Sequence, residues 1–171
     1  IAPRLRRCIR GFCQLSSRNA SLKVKVRGGV VGVITSYAPH NMKDLNERMA
    51  FYDELSDLWR RTSANLIEVI MGDFNFPPED LEAIGYPHTV RGQILRPAGI
   101  EATCTSGEPR MLDYGMASND LMPAVKRVYP VWKAPFKPHI GIGVELVAQP
   151  RVLMTRAPII PKSLPVLGDK A

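Results

Sequence analysis

An apolar, β-branched run that stops at a glycine and two prolines constrains this chain more than any other feature. Ile67 to Pro78 reads I-E-V-I-M-G-D-F-N-F-P-P. Leu66 to Met71 has the length and β-branched content of a buried strand, and Gly72 breaks it. Side chains two apart on an extended segment share a side, so Asp73 and Asn75 emerge together at the strand's end. That sets an anionic acceptor beside an amide that both donates and accepts. Two readings follow. The pair is either the polar centre of a site or a turn in which both side chains satisfy local backbone groups.

The chain has 171 residues, 45% of them hydrophobic, which is enough for one sizeable core and not for two full domains. Lys and Arg number 23 against 16 acids, a net charge of +7, so the surface attracts polyanions such as nucleic acid or anionic lipid. No apolar run reaches transmembrane length. Cys8, Cys13 and Cys104 are odd in number and fit no zinc spacing, which points to reduced thiols and an intracellular setting, the nucleus included. The chain starts at Ile1, which suggests a fragment or a processed piece.

Residues 1 to 43 contain no acid, while Arg4, Arg6, Arg7, Arg10, Arg18, Lys23, Lys25 and Arg27 crowd the first part. An organelle transit peptide has that composition too. Leu22 to Arg27, however, alternates apolar and basic residues, Gly28-Gly29 supplies a turn, and Val30 to Tyr37 resumes as a strand. This reads as a hairpin, with Lys23, Lys25 and Arg27 on one face as edge protection or phosphate contacts. Tyr37 stands at the strand's mouth, before Pro39.

From Asp44 to Arg61, Leu45, Met49, Tyr52, Leu55 and Trp59 recur at helical spacing, with Asp44 as N-cap and Arg60-Arg61 in the last turn. Pro77, Pro78 and Glu79 open a short helix to Ile84. Tyr86 to Ala98 is turn-rich and not assigned to an element, and His88 carries no signal. Ile100 to Thr105 reads as a strand, Gly107-Glu108-Pro109 as a turn, Met111 to Ser118 as a strand, Leu121 to Trp132 as a turn and strand, and Ile140 to Val147 as a last strand entered by His139. Asp113, inside an apolar strand, needs a histidine, a metal or several N–H donors as partner. Beyond Gln149 the chain is proline-punctuated and reads as an extended linker.

Taken in order, Ser36-Tyr37-Ala38-Pro39, Gly72-Asp73-Phe74-Asn75, Leu112-Asp113-Tyr114 with Ser118, and His139 before a final strand resemble the endonuclease/exonuclease/phosphatase superfamily. The resemblance is greatest to its exonuclease III and apurinic endonuclease branch and to non-LTR retrotransposon endonucleases. It covers residues 22 to 148 and makes 1–148 a partial domain with 149–171 as tail. It implies an α+β, four-layer sandwich of two mainly antiparallel sheets packed face to face between outer helices, with the first portion missing.

The resemblance implies a metal-dependent phosphodiester hydrolase acting on nucleic acid, DNA foremost, with Tyr37, Asp73, Asn75, Asp113 and His139 catalytic. Magnesium or manganese would sit at Asp73 and Asn75. Asp113 would fix the His139 ring and favour its protonated form. Two departures are visible. The chain starts after the family's asparagine motif and metal-binding glutamate, and Lys137-Pro138-His139 stands where the family has Ser-Asp-His. Both predict impaired activity. The alternatives are a lipid or inositol phosphatase of the same superfamily and a non-catalytic nucleic-acid-binding remnant. His40 takes a place where relatives often carry asparagine and is left outside the set.

Overall fold

The computed structural model describes residues 6–14, 16–26, 29–40, 44–63, 67–135 and 137–147. The proline-punctuated tail, Gly28 and Arg27 of the expected turn, and Leu66 lie outside these residues.

Six strands form one mixed sheet: β1 (Ile9–Gln14), β2 (Asn19–Val26), β3 (Gly29–Tyr37), β4 (Ile67–Asp73), β5 (Gly92–Leu95) and β6 (Asp113–Ser118), in the order β1-β2-β3-β4-β6-β5. Neighbours are antiparallel except β3 and β4, which run parallel. A parallel pair needs a long crossover. Helix α1 (Leu45–Ser63) supplies it. Two further strands, β7 (Val125–Val131) and β8 (Gly141–Leu146), pair antiparallel as a second sheet.

Alternation along the strands sorts side chains onto two faces. Ile34, Ile70, Tyr114 and Met116 pack with Phe51, Tyr52, Leu55, Leu58 and Trp59 of α1, and with Leu81 and Tyr86 from the short helices α2 (Pro78–Ala83) and α3 (Tyr86–Thr89). On the other face Val33, Val69, Met71, Leu95 and Ala117 meet Val125, Val128, Val144 and Leu146 of the small sheet. Helices, large sheet and small sheet are thus stacked layers, the α+β sandwich that the resemblance implies.

Helix α1 starts where Asp44 Oδ1 accepts from the N–H groups of Asn46 (2.9 Å) and Glu47 (3.2 Å), the expected N-cap. Its buried stripe differs from the expected one: Met49 is half exposed, while Phe51 and Leu58 are buried. The large sheet is broad enough to cover more than one narrow seam of the helix. Arg48 lies over the Phe76 ring, 3.8 Å from its centroid, in a cation–π contact.

Three segments depart from the sequence reading. The basic N-terminal run contains a strand, β1, paired with β2. Tyr86 to Ala98 resolves into α3 and β5. Ile100 to Thr105 is not a strand. Within it Cys104 alone makes bridges, to Arg110 and to His139. Its backbone is divided between two neighbours, because Thr103 and Cys104 donate to the Arg110 carbonyl while the Thr103 carbonyl accepts from Ile140.

Candidate active site

Three strand ends meet at one edge of the sandwich. Tyr37 on β3 is in register with Asp73 on β4, which is opposite Asp113 on β6. All three lie on the face shared with the small sheet, since Met71 and Ala117, two and four positions away on their strands, face it. His139 comes in from the small sheet, two residues before β8.

The His139 ring nitrogen Nδ1 is 2.8 Å from Asp113 Oδ2 and 3.8 Å from Asp73 Oδ2. The partner that an acid inside an apolar strand requires is therefore the histidine. Both carboxylates and the imidazole offer ligand atoms within 4.8 Å of one another. Burial raises the Asp73 pKa; the Asn75 N–H lowers it, the Asp113 charge raises it, and His139 and His40 lower it, with a net upward shift.

Asp73 is held from both sides. Its carbonyl accepts from Ala38 N–H (2.8 Å), and its Oδ1 from Asn75 N–H (2.9 Å). Asn75 has a left-handed φ of 49°, a conformation asparagine tolerates, and its Nδ2 donates to the Ala38 carbonyl at 2.9 Å. The Asn75 amide nitrogen is thus turned to the β3 exit loop, leaving Oδ1 as the side chain's acceptor. Just behind, Phe74 stacks on Tyr114 with centroids 4.4 Å apart, and the Tyr114 hydroxyl donates to the Phe76 carbonyl at 3.0 Å. This buried aromatic floor fixes the loop that carries Asp73 and Asn75.

Tyr37 stands at the rim, 49% exposed, with the Arg18 guanidinium 6.0 Å from its ring. Asp73, Asp113 and His139 therefore form the cluster. Asn75 is hydrogen-bonded to it, and Tyr37 adjoins it through strand register.

Thr103 is the residue that the sequence reading missed. Fully buried, it accepts on Oγ1 from Leu112 N–H (2.9 Å) and Asp113 N–H (2.7 Å), while its carbonyl accepts from Ile140 N–H (2.7 Å). One residue, through its hydroxyl and its carbonyl, so clamps the backbone of Asp113 to the segment that carries His139. A threonine in an apparently ordinary strand gives no such signal.

The donor set fits a divalent cation. Asp73 Oδ2 has no hydrogen bond among the described residues, and two carboxylates side by side call for positive charge between them. Asp73, Asp113 and His139 are the described residues whose ligand atoms lie close enough together to hold one.

No family model matches the sequence, and no curated protein matches it. Solved structures do. The endonuclease domain of TRAS1, a telomere-specific non-LTR retrotransposon, matches with a TM-score of 0.64 at 10% identity, over 81% of this chain and 69% of that one. The 3′ phosphatase NExo from Neisseria, solved with a product DNA hairpin, gives 0.61 at 14% identity over 81% and 71%. Beta toxin from Staphylococcus aureus, solved with bound magnesium ions, gives 0.53 at 17% identity over 75% and 53%. The chain adopts the fold of the endonuclease/exonuclease/phosphatase superfamily.

Proposed function

We propose that the chain is a metal-assisted phosphodiester hydrolase acting on nucleic acid, with its centre at Asp73, Asp113 and His139. The observation that carries this reading is the 2.8 Å contact between His139 and Asp113, made beside a second carboxylate at the mouth of the sandwich. Hydrolysis of a phosphodiester requires an oriented water, positive charge near the non-bridging oxygens and proton transfer at the leaving oxygen. Asp113 Oδ2, against Nδ1, sets the orientation of the imidazole and leaves Nε2 to exchange a proton with the phosphate or its leaving oxygen. Through Oδ2, which has no hydrogen bond among the described residues, Asp73 either takes a proton from the attacking water, a role its raised pKa suits, or ligates a cation. The Tyr37 hydroxyl at the rim can donate to a phosphate oxygen, as can the second N–H of Asn75 Nδ2, whose first is taken by the Ala38 carbonyl. A divalent cation bound at Asp73 would supply charge neutralisation at the phosphate.

A DNA substrate is favoured by the net charge of +7 and by two neighbours: the TRAS1 domain, named an endonuclease, and NExo, solved with product DNA. Magnesium is favoured by the bound ions of beta toxin. Pro138 stands where the resemblance leads one to expect an acid, so the expected activity is weak. The test is nicking of supercoiled plasmid in magnesium or manganese by residues 1–171, by Asp73→Ala and by Pro138→Asp. The expected outcome is slow, metal-dependent nicking, abolished by Asp73→Ala and raised by Pro138→Asp. Nicking that ignores Asp73 overturns the assignment of the centre. Hydrolysis of inositol phosphates with no effect on plasmid shifts the substrate to the lipid-phosphatase alternative.

A further inference from the structure

We propose that the turn joining β7 to β8 is a base-stacking element, in which Trp132 takes an unpaired nucleobase next to the phosphate held at His139. The proposal rests on the nucleic-acid reading and deepens it, because it specifies a substrate with a single-stranded or opened segment at the site.

The chain has two tryptophans with opposite placements. Trp59 is 3% exposed in the core, whereas Trp132 is 63% exposed. An indole left that open in water gains nothing for the fold, and large exposed aromatics mark contact surfaces.

The position of this one is set by the hairpin. Val131 pairs with Gly141 at the end of the two-stranded ladder. Trp132 is one residue beyond that pair, and His139 two residues beyond it on the other side. Their Cα atoms are therefore at most roughly 17 Å apart, from the spacing of paired strands and of consecutive residues. Both ends of the turn are tied down. Ala134 N–H donates to the Val131 carbonyl (3.2 Å), and the far side is tied to the large sheet through Ile140 N–H to Thr103 (2.7 Å) and Thr105 Oγ1–H to Pro138 (3.0 Å).

The hairpin's own sequence before Glu145 carries charge of one sign. From Leu121 to Val144 the sequence has four basic residues and no acid. Lys126 and Arg127 are paired with Glu145. Lys133 and Lys137, both exposed and on either side of the turn, have no ion pair among the described residues. An exposed aromatic on the same turn as unneutralised lysines is the pattern of single-strand binding, in which bases stack and lysines take phosphates.

Intrinsic fluorescence tests this directly, because only one tryptophan is accessible. The full chain is titrated with a short single-stranded DNA oligonucleotide in chelator at low salt, and in parallel with the same sequence as a blunt duplex. Stacking predicts quenching of the exposed indole by the single strand and tighter binding of the single strand than of the duplex. Trp132→Ala is expected to weaken single-strand binding about ten-fold, by loss of stacking on one base. Trp132→Phe is expected to keep it within about three-fold of the parent. The Lys133→Ala and Lys137→Ala variants each reduce the salt slope by about one. If the oligonucleotide binds without quenching and Trp132→Ala binds as tightly as the parent, the stacking element is overturned and the nucleic-acid reading survives. If neither DNA form binds at low salt, both fall.

Discussion

Asp113 and His139 are 26 residues apart, one on the large sheet and one leading into the small sheet, yet a carboxylate oxygen of one lies 2.8 Å from a ring nitrogen of the other. Each comes to the contact along a separate backbone path. Asp113 opens β6, and His139 precedes β8. What holds the two paths in register is Thr103, which bonds to the backbone of both segments.

Removing either member of the pair should lower turnover by about two to four orders of magnitude, the range for losing a positioned acid or base. Asp113→Asn and His139→Gln, assayed singly and together on plasmid, test whether the two act as a unit. Residues that act as one give a double variant scarcely slower than the worse single. Additive losses would separate them.

Thr103→Val keeps the shape of the side chain but removes an acceptor that satisfies two backbone N–H groups. The variant is expected to lose about 2–4 kcal/mol, because buried donors are left unpaired. Thr103→Ser, which retains the oxygen, should lose much less. Urea denaturation midpoints of the two variants, compared at equal m-value, check this. Equal losses would assign the effect to packing and not to hydrogen bonding.

For Asp73 the sign of the pH effect follows from its raised pKa. The folded protein favours the neutral acid more than the unfolded chain does, so the contribution of Asp73 to stability is fully present below the unfolded value of 3.8 and is lost as pH rises through the folded value. Asp73→Asn removes the charged form. In chelator its melting temperature should exceed that of the parent at pH 7, and the difference should close below about pH 4. A difference independent of pH would mean that burial of this carboxylate is not what the substitution relieves.

Gly72 precedes Asp73 and is in register with Ser36 on the parallel neighbour. A Cβ built there falls on the Ser36 carbonyl oxygen, which is backbone and cannot swing away. Gly72→Ala should therefore destabilise the chain by more than about 4 kcal/mol, the magnitude reserved for such clashes. The expected result is insoluble protein, or a circular dichroism spectrum without a cooperative melt. A well-folded variant would show that β3 and β4 can part at this point.

Local chemistry made much of this protein legible in its sequence. The β-branched run before Gly72 and the helical spacing after the Asp44 cap depend on near neighbours and mark out β4 and α1, whereas the candidate set around Asp73 is what the resemblance carried by the order of the polar motifs implies. The requirement that Asp113 have a partner also follows from local reasoning, because a charge inside an apolar strand must be compensated wherever the chain goes. Which partner it takes is a matter of how the two sheets close on each other, and the bottom-up reading alone left a histidine, a metal or N–H donors open. The role of Thr103 and the division of residues 100–105 between two neighbours were decided by tertiary structure alone. Each depends on contacts between segments distant in sequence, and no periodicity or propensity of a single segment encodes them.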